Sequence, residues 1–406
     1  MAEEQAPVEV PEVSVEAPAI SPDPANGSTP RGDKGGDDVT LVIDGKAFGG
    51  WTAIRVSRGI ERMPSDFDIA LTELFPGQAE RVAIASGSEC VLKVGADVVI
   101  TGYVDRHMLT IEPGSHTVRI QGRGKCAALV DCSAGVSAPD VFATSINAAS
   151  AFRIASDLAK PFGITVAKLN EEAGNPIPAF NVILSETAFE IIDRIASYKK
   201  LLAYEDTAGN LVLAQAGTDK MSSGFELGVN IEAATALFSA DQRFSHYYVV
   251  WLSTDQYRED RTAVGGPQGL LHGKTTDAGV SRFRPRIIVS DQTVDSVDIG
   301  QARAEWEMNR RIGRSQLVQI TCDSWRDAAG RLWQPNFLAP VNAPALKLSN
   351  VNWLITDVTY RRDETGTHAD LILMPKEAVE PPPSTLTTVD QEIYRSQPGR
   401  GGAQAQ

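Results

Sequence analysis

The sequence predicts an α+β protein rich in β structure. From Asp38 to about Ile120, apolar and polar side chains alternate in short runs broken by turn signals, the period of half-buried strands. Between about 146 and 200 the spacing changes to that of amphipathic helices, and after Leu317 the alternation returns. At 406 residues the chain exceeds what one hydrophobic core usually serves, so several domains are expected.

Residues 1–37 hold eight acidic residues against Arg31 and Lys34, with six prolines and no aromatic. Such a segment buries too little apolar surface to offset its ordering entropy, and a disordered acidic tail is expected. Arg31-Gly-Asp33 within it reads as chance. In the first β block Val39, Leu41 and Ile43 alternate before the Asp44-Gly45 turn. Ile54 and Val56 follow Trp51, and Phe67, Ile69 and Leu71 alternate in turn. Val91–Val94, Val98–Ile100 and Val118–Ile120 complete a block that suggests a small barrel or sandwich.

A helix is expected over Ile146 to Lys160, stopped by Pro161 and Gly163, with a strand at Gly163–Val166. Thr187-Ala-Phe-Glu190 is a capping-box pattern that opens a second helix. Its stripe is Ala188, Ile191, Ile192, Ile195 and Ala196, with Lys199 and Lys200 at the negative end of the dipole. Leu201–Tyr204 and Leu211–Leu213 flank Asp206–Asn210 as a hairpin. A strand at Tyr247–Leu252 precedes a long Gly-rich loop to about Gly279, and a helix spans Asp298 to Arg311 with Gly313 beside its C-cap. That helix carries two apolar stripes, Ile299/Ala302/Trp306 and Ala304/Met308/Ile312, which suits one packed between layers or meeting another subunit. Leu354–Tyr360 then pairs with Ala369–Leu373 across Asp363–Gly366. The segment from about Glu380, with Pro381–Pro383, reads as a second loose tail.

Composition narrows the function. Net charge is -14, which argues against general duplex binding, because neutralising phosphates needs a basic face. No apolar stretch reaches the ~18 residues of a membrane helix. The N-terminus lacks the basic-then-apolar pattern of a secretory signal. Four cysteines (Cys90, Cys126, Cys132, Cys322) are few for this length and are expected as reduced thiols in a cytosol.

The run Gln121–Ala134 mixes Gly122, Gly124, Arg123, Lys125, Cys126 and Cys132 after a strand. It can be read as a phosphate loop, a metal site or a junction between domains. Gly122-Arg-Gly-Lys125 lacks the Walker spacing and the following Ser or Thr. The two cysteines have no CxxC spacing and no nearby histidine. Gly269–Thr275 imitates a nucleotide loop but has three residues between its glycines where four are needed, with Gln268 at the required position. The histidines at 107, 116, 246, 272 and 368 make no HExxH, and no GxSxG elbow exists. Glu171-Glu172 reads as solvated surface. No catalytic, cofactor-binding or metal residue is assigned, no cofactor is expected, and the protein is read as not an enzyme. Arg282, Arg284 and Arg286, with Arg303, Arg310, Arg311 and Arg314, could meet nucleic acid or an acidic partner. The simpler reading pairs them with the abundant carboxylates, within the chain or between subunits.

Four segments carry a family resemblance. They are Leu41–Gly45 with Gly50–Val56 and Phe67–Leu71; Gly122-Arg123 with Leu129–Ala134; Arg303–Trp306 with Arg282 and Arg284 before it; and Trp325-Arg326, Gly330–Trp333, Asn336 and Trp353–Val358. The chain resembles the baseplate hub proteins of Mu-like contractile-tailed phages. These are related to the T-even phage hub and the hub portion of type VI secretion spikes. Cys126-Ala-Ala128, where the family more often has Thr and Asp, and the acidic tail depart from the pattern.

The resemblance implies two small antiparallel, tail-tube-like β-barrels per chain, an α+β domain and an inserted region. It implies a homotrimeric ring that adapts a trimeric spike to a hexameric tail tube around a DNA passage. The organisation expected on this basis is a tail at 1–37, a first barrel at 38–130 and an α+β domain at 131–216. A second barrel is split between 217–252 and 316–376, an inserted region lies at 253–315, and a flexible tail at 377–406. Implied partners are the chain itself, the central spike, the tube or distal tube protein, other baseplate proteins, and phage DNA passing without sequence-specific binding. The implied location is the tail baseplate of a virion, after late synthesis in the host cytoplasm. The other reading is a tail protein that binds or degrades cell wall, because Ile154–Ala159 with Phe162–Val166 looks like half of a LysM peptidoglycan-binding module. A third, duplex binding through Arg282, Arg284 and Arg286, would show as salt-sensitive affinity.

Overall fold

The structure is a computed structural model. It describes residues 37–73, 84–113, 115–134, 149–168, 185–251, 271–290 and 297–383, with short pieces between 136 and 183. Residues 1–36 and 384–406, the Glu171-Glu172 pair and residues 253–270 of the expected Gly-rich loop lie outside the described residues.

The first block holds β1 (Val39–Ile43), β2 (Lys46–Phe48), β3 (Ala53–Gly59), β4 (Asp66–Glu73), β5 (Glu89–Val94), β6 (Asp97–Glu112) and β7 (Ser115–Gly124). Alternation places Leu41, Val56, Ile69, Leu92 and Ile120 inside, each fully buried. Next come α1 (Ala127–Asp131), β8 (Val136–Ala138), β9 (Val141–Phe142), β10 (Ser145–Ile146), α2 (Ala151–Ala159), β11 (Val166–Lys168), β12 (Phe180–Asn181), α3 (Ala188–Tyr198), β13 (Leu202–Glu205) and β14 (Leu211–Ala214).

Ser150 caps α2 by accepting from the Arg153 N–H, and α2 therefore starts five residues later than its alanine-rich pattern suggests. Thr187 and Glu190 form the expected capping box on α3. Both helices bury their stripes on the three-stranded sheet β11-β14-β13, with Ile154, Ile191, Ile192 and Ile195 against Leu211 and Leu213. Each such side chain contributes ~1.5–3 kcal/mol of burial.

The remaining elements are β15 (Asp219–Lys220), β16 (Phe225–Glu226), β17 (Ile231–Phe238), β18 (His246–Trp251), β19 (Leu271–Thr276), β20 (Pro285–Ser290), α4 (Val297–Arg314), β21 (Gln316–Cys322), β22 (Phe337–Ala343), β23 (Leu348–Asp363) and β24 (Gly366–Met374).

The expected pair of barrels is not what forms. The two β blocks join in a 14-stranded sheet whose path runs β17-β21-β24-β23-β3-β4-β7-β6-β5-β1-β2, and among the described residues no sheet closes on itself. The reason is the use of strand edges. The edge of β3 that could close the first block is taken by β23, with Tyr360 opposite Val56 and Thr359 opposite Ser57. β23 is long enough to divide that edge: Leu348–Leu354 pairs with β22 and Asp357–Arg362 with β3, while β24 occupies the other side. One core therefore runs through both blocks, from Leu41 and Leu92 to Ile320 and Leu371. His246–Trp251, expected in the second barrel, instead centres a separate sheet ordered β19-β18-β20.

α4 lies between that small sheet and the C-terminal turn at Lys376–Ala378. A side chain on Gly273 would overlap the backbone of Gly300, so the glycine of the nucleotide-loop look-alike serves close strand–helix approach. Gly313 is inside α4 rather than beyond its end. An added Cβ would sit 2.6 Å from the Ala378 nitrogen, so packing explains this glycine.

Candidate assembly seams and surfaces

The run at 121–134 is a seam between the large sheet and the α+β body. A Cβ on Gly122 would overlap the Phe67 ring and the Tyr103 carbonyl, and one on Gly124 would overlap the Glu205 carboxylate. Glu205 is buried at the end of β13 (3% exposed). It accepts the Ser65 N–H at 2.9 Å through Oε2 and the Cys126 N–H at 2.8 Å through Oε1. One carboxylate thus joins the β3–β4 connection, the start of α1 and the hairpin of the α+β body. Burial pushes its pKa up, opposed by those two N–H donors and by Arg58.

Leu129 enters the core beneath α2 and α3. Asp131 is an ion-pair partner: Arg123 donates to it at 2.8 Å and to Asp105 at 2.5 Å. Cys126 is buried while Cys132 is exposed. Among the described residues, no group of three or more His, Cys, Asp or Glu side chains could hold a metal ion.

The other residues singled out by sequence sit at seams as well. Arg326 donates to Asp37 and Asp97 at 2.6 Å each and to the Val94 carbonyl at 3.2 Å, tying the β21–β22 connection to the start of β1 and the β5–β6 turn. Trp325 donates to the His368 carbonyl at 2.8 Å and Trp333 to the Ser324 carbonyl at 2.9 Å. Asn336, at φ 68°, donates to the Gln215 carbonyl and the Tyr204 hydroxyl and accepts from the Gly217 N–H. It thereby fixes the α+β body to the sheet.

Most of the clustered arginines are engaged within the chain, while Arg282 is exposed. Arg284 donates to the Ala240 and Asp241 carbonyls, and Arg284, Arg286 and Arg311 surround the Phe244 ring at 5.2–5.4 Å. Only Arg286 of the 282/284/286 series lies in a strand, since β20 begins at Pro285. Arg303 and Arg310 flank Trp306, whose indole N–H donates to the Glu380 carbonyl at 2.7 Å. The segment Ile154–Ala159 that resembles a LysM half-module buries Ile154, Ala155 and Ala159 inside the α+β core.

Sequence reading missed two features. Glu205 carries a signal, an acid ending the apolar run Leu201–Tyr204. The second is a set of exposed apolar side chains on the edge strand β17 and on the part of β6 beyond its pairing with β5. Leu109 and Ile111 on β6 are 60% and 80% exposed, and Leu237 and Phe238 on β17 are 54% and 52% exposed.

Comparison with known proteins gives these seams a setting. Residues 38–124 match the family model of the Mu phage baseplate assembly protein GpP-like N-terminal domain. Residues 126–215 match the second domain of baseplate hub protein gp44-like proteins, and 296–382 the fourth domain of Mu phage baseplate assembly protein GpP. Baseplate hub protein gp44 of Escherichia phage Mu is 30% identical over 344 residues, 84% of this chain and 88% of that protein. The crystal structure of the 43 kDa tail protein of prophage MuSo2 from Shewanella oneidensis superposes with TM-score 0.74 at 31% identity. It covers 85% of this chain and all of that one. The fold, at 9% identity, is shared with the E. coli c3393 protein, a type VI secretion component described as similar to T4 tail proteins gp27 and gp5. There the TM-score is 0.54, over 84% of this chain and 79% of that one.

A β-rich chain whose marked residues hold seams is a structural protein of phage tails or tail-like particles. The chain belongs to the Mu-type baseplate hub family.

Proposed function

We propose that three copies of this baseplate hub close into a ring that joins a trimeric spike to a hexameric tail tube of a contractile tail and encloses the DNA passage. The supporting observation is a matched pair of open strand edges. Eight strands run from β17 to β6, with β17, β21, β24 and β23 from one block and β3, β4, β7 and β6 from the other. Three chains present six such four-strand sets, the number a hexameric tube requires.

Among the described residues β17 beyond Ile231 pairs only with β21, and β6 beyond Val104 pairs only with β7. Open edges bearing exposed apolar side chains invite pairing with another chain. Here they bound the run from β17 to β6 on its two opposite sides, as a head-to-tail ring requires. Native mass of the purified protein, before and after lysine replaces Ile111 or Phe238, tests this reading. Loss of the oligomer with retained fold supports it, and an unchanged oligomer contradicts it. Spike, tube and other baseplate proteins are the partners this reading implies.

A further inference from the structure

The two open edges are complementary residue by residue. Every step of the run from β17 to β6 is antiparallel. Strand direction therefore alternates, and β17 and β6, first and last of eight, run in opposite senses. In a wall built of such strands around a ring axis, rotation about the axis preserves each sense. The β17 edge of one copy then meets the β6 edge of the next in antiparallel fashion.

Faces limit the register, because residues opposite each other on paired strands point to the same side of the sheet. On β17, Ala234 and Ala236 stand opposite Ile320 and Val318 and pack on the shared core. On β6, His107 and Leu109 stand opposite Ile120 and Val118, both in that core. Alternation adds Phe238 and Ile111 to these rows and turns Thr235, Leu237, Met108 and Thr110 to the other face. Bulges bound both edges, with register shifts between Ile231 and Ala233 on β17 and between Val104 and Arg106 on β6. The regular stretches are residues 233–238 and 106–112.

We propose that β17 of one copy pairs with β6 of the next in a single register. Ala234 stands opposite Ile111, Ala236 opposite Leu109 and Phe238 opposite His107 on the core face; Thr235 stands opposite Thr110 and Leu237 opposite Met108 on the other. The inference rests on the ring reading and deepens it by naming the segment of the second copy that each edge receives. The exposed Leu109 and Ile111 side chains meet alanines, and a large residue facing a small one fills space without crowding. The exposed Leu237 and Met108 cover each other, and the two threonines make a favourable cross-strand pair. A shift of two residues one way sets Phe238 against Asp105, which lies in the β6 bulge and is held by Arg123. A shift the other way sets Thr235 against Glu112 and leaves Met108 beyond the end of β17.

Disulfide trapping tests the register. Opposed Cα atoms lie ~4.5–5.5 Å apart, within the span of a disulfide, whereas neighbours two residues along lie at ~7–8 Å, beyond it. β17 and β6 stand on opposite sides of the eight-strand run, so any bridge between them joins two copies. In a Cys132→Ser background, which removes the exposed thiol, Thr235→Cys/Thr110→Cys is expected to give a covalent, reducible ring on mild oxidation. Leu237→Cys/Met108→Cys reads the same register through a second pair, should the first variant assemble poorly. Thr235→Cys/Met108→Cys and Thr235→Cys/Glu112→Cys are two residues off and are expected to stay uncross-linked. Native mass and circular dichroism before oxidation accompany each sample.

A wild type that assembles while both in-register pairs fail to cross-link would overturn the register and leave the ring standing. Equally rapid cross-linking by an off-register pair would do the same. A wild type that is monomeric by mass would overturn the ring and the pairing together, so the two failures are distinct.

Discussion

The Glu205 carboxylate occupies the space that a side chain on Gly124 would need. This relationship makes the seam between the sheet and the α+β body a single polar lock. Gly124→Ala is expected to lose about 2–4 kcal/mol, because the carboxylate must move and leave the Ser65 and Cys126 N–H groups unsatisfied. Denaturant unfolding measures it. Glu205→Gln keeps one acceptor and opposes an amide NH2 to the other N–H, so it too should destabilise.

The pH dependence has a definite sign. The folded-state pKa of Glu205 lies above its ordinary value of 4.5, so its contribution is fully present below that value and declines as pH rises through the folded pKa. The stability gap between wild type and Glu205→Gln should therefore narrow as pH rises above 4.5. A gap that widens would mean the carboxylate gains more from its donors than it loses to burial.

The open edges predict an asymmetric result. Ile111→Lys damages the β6 edge and Phe238→Lys the β17 edge, so each alone should be monomeric with unchanged circular dichroism. Mixed, the first still offers an intact β17 and the second an intact β6. One intact interface per pair allows heterodimers but no ring. Sedimentation of the mixture decides it; a restored trimer, or no association at all, would count against head-to-tail pairing.

Thiol chemistry checks the seam independently. Burial pushes the Cys90 and Cys322 thiols up to about 12 and raises Cys126 as well, whereas Cys132 is exposed. A thiol reagent at mildly alkaline pH should modify Cys132 alone in the folded protein and all four cysteines after unfolding. Rapid labelling of Cys126 would show that the lock around Glu205 opens easily.

Much of the local structure was legible. Alternation located the strands around Leu41, Ile69 and Ile120, and Thr187 with Glu190 marked the start of α3. The pairing of β3 with β23 was not legible. A strand's alternation tells which face is buried and says nothing about which distant strand takes its second edge. Two barrels and one continuous sheet therefore share the same pattern. Gly313 looked like a helix end because a glycine spent on close packing carries the same letter as one spent on a left-handed turn. The arginines at 284, 303 and 310 were legible as a cluster. Their spending on Phe244, Trp306 and nearby carbonyls depended on contacts that only the fold creates.

Native mass measurement of the full-length protein at micromolar concentration tests the central claim most directly. Three chains of 43.6 kDa predict a species of about 131 kDa. A strictly monomeric or dimeric species would contradict the ring.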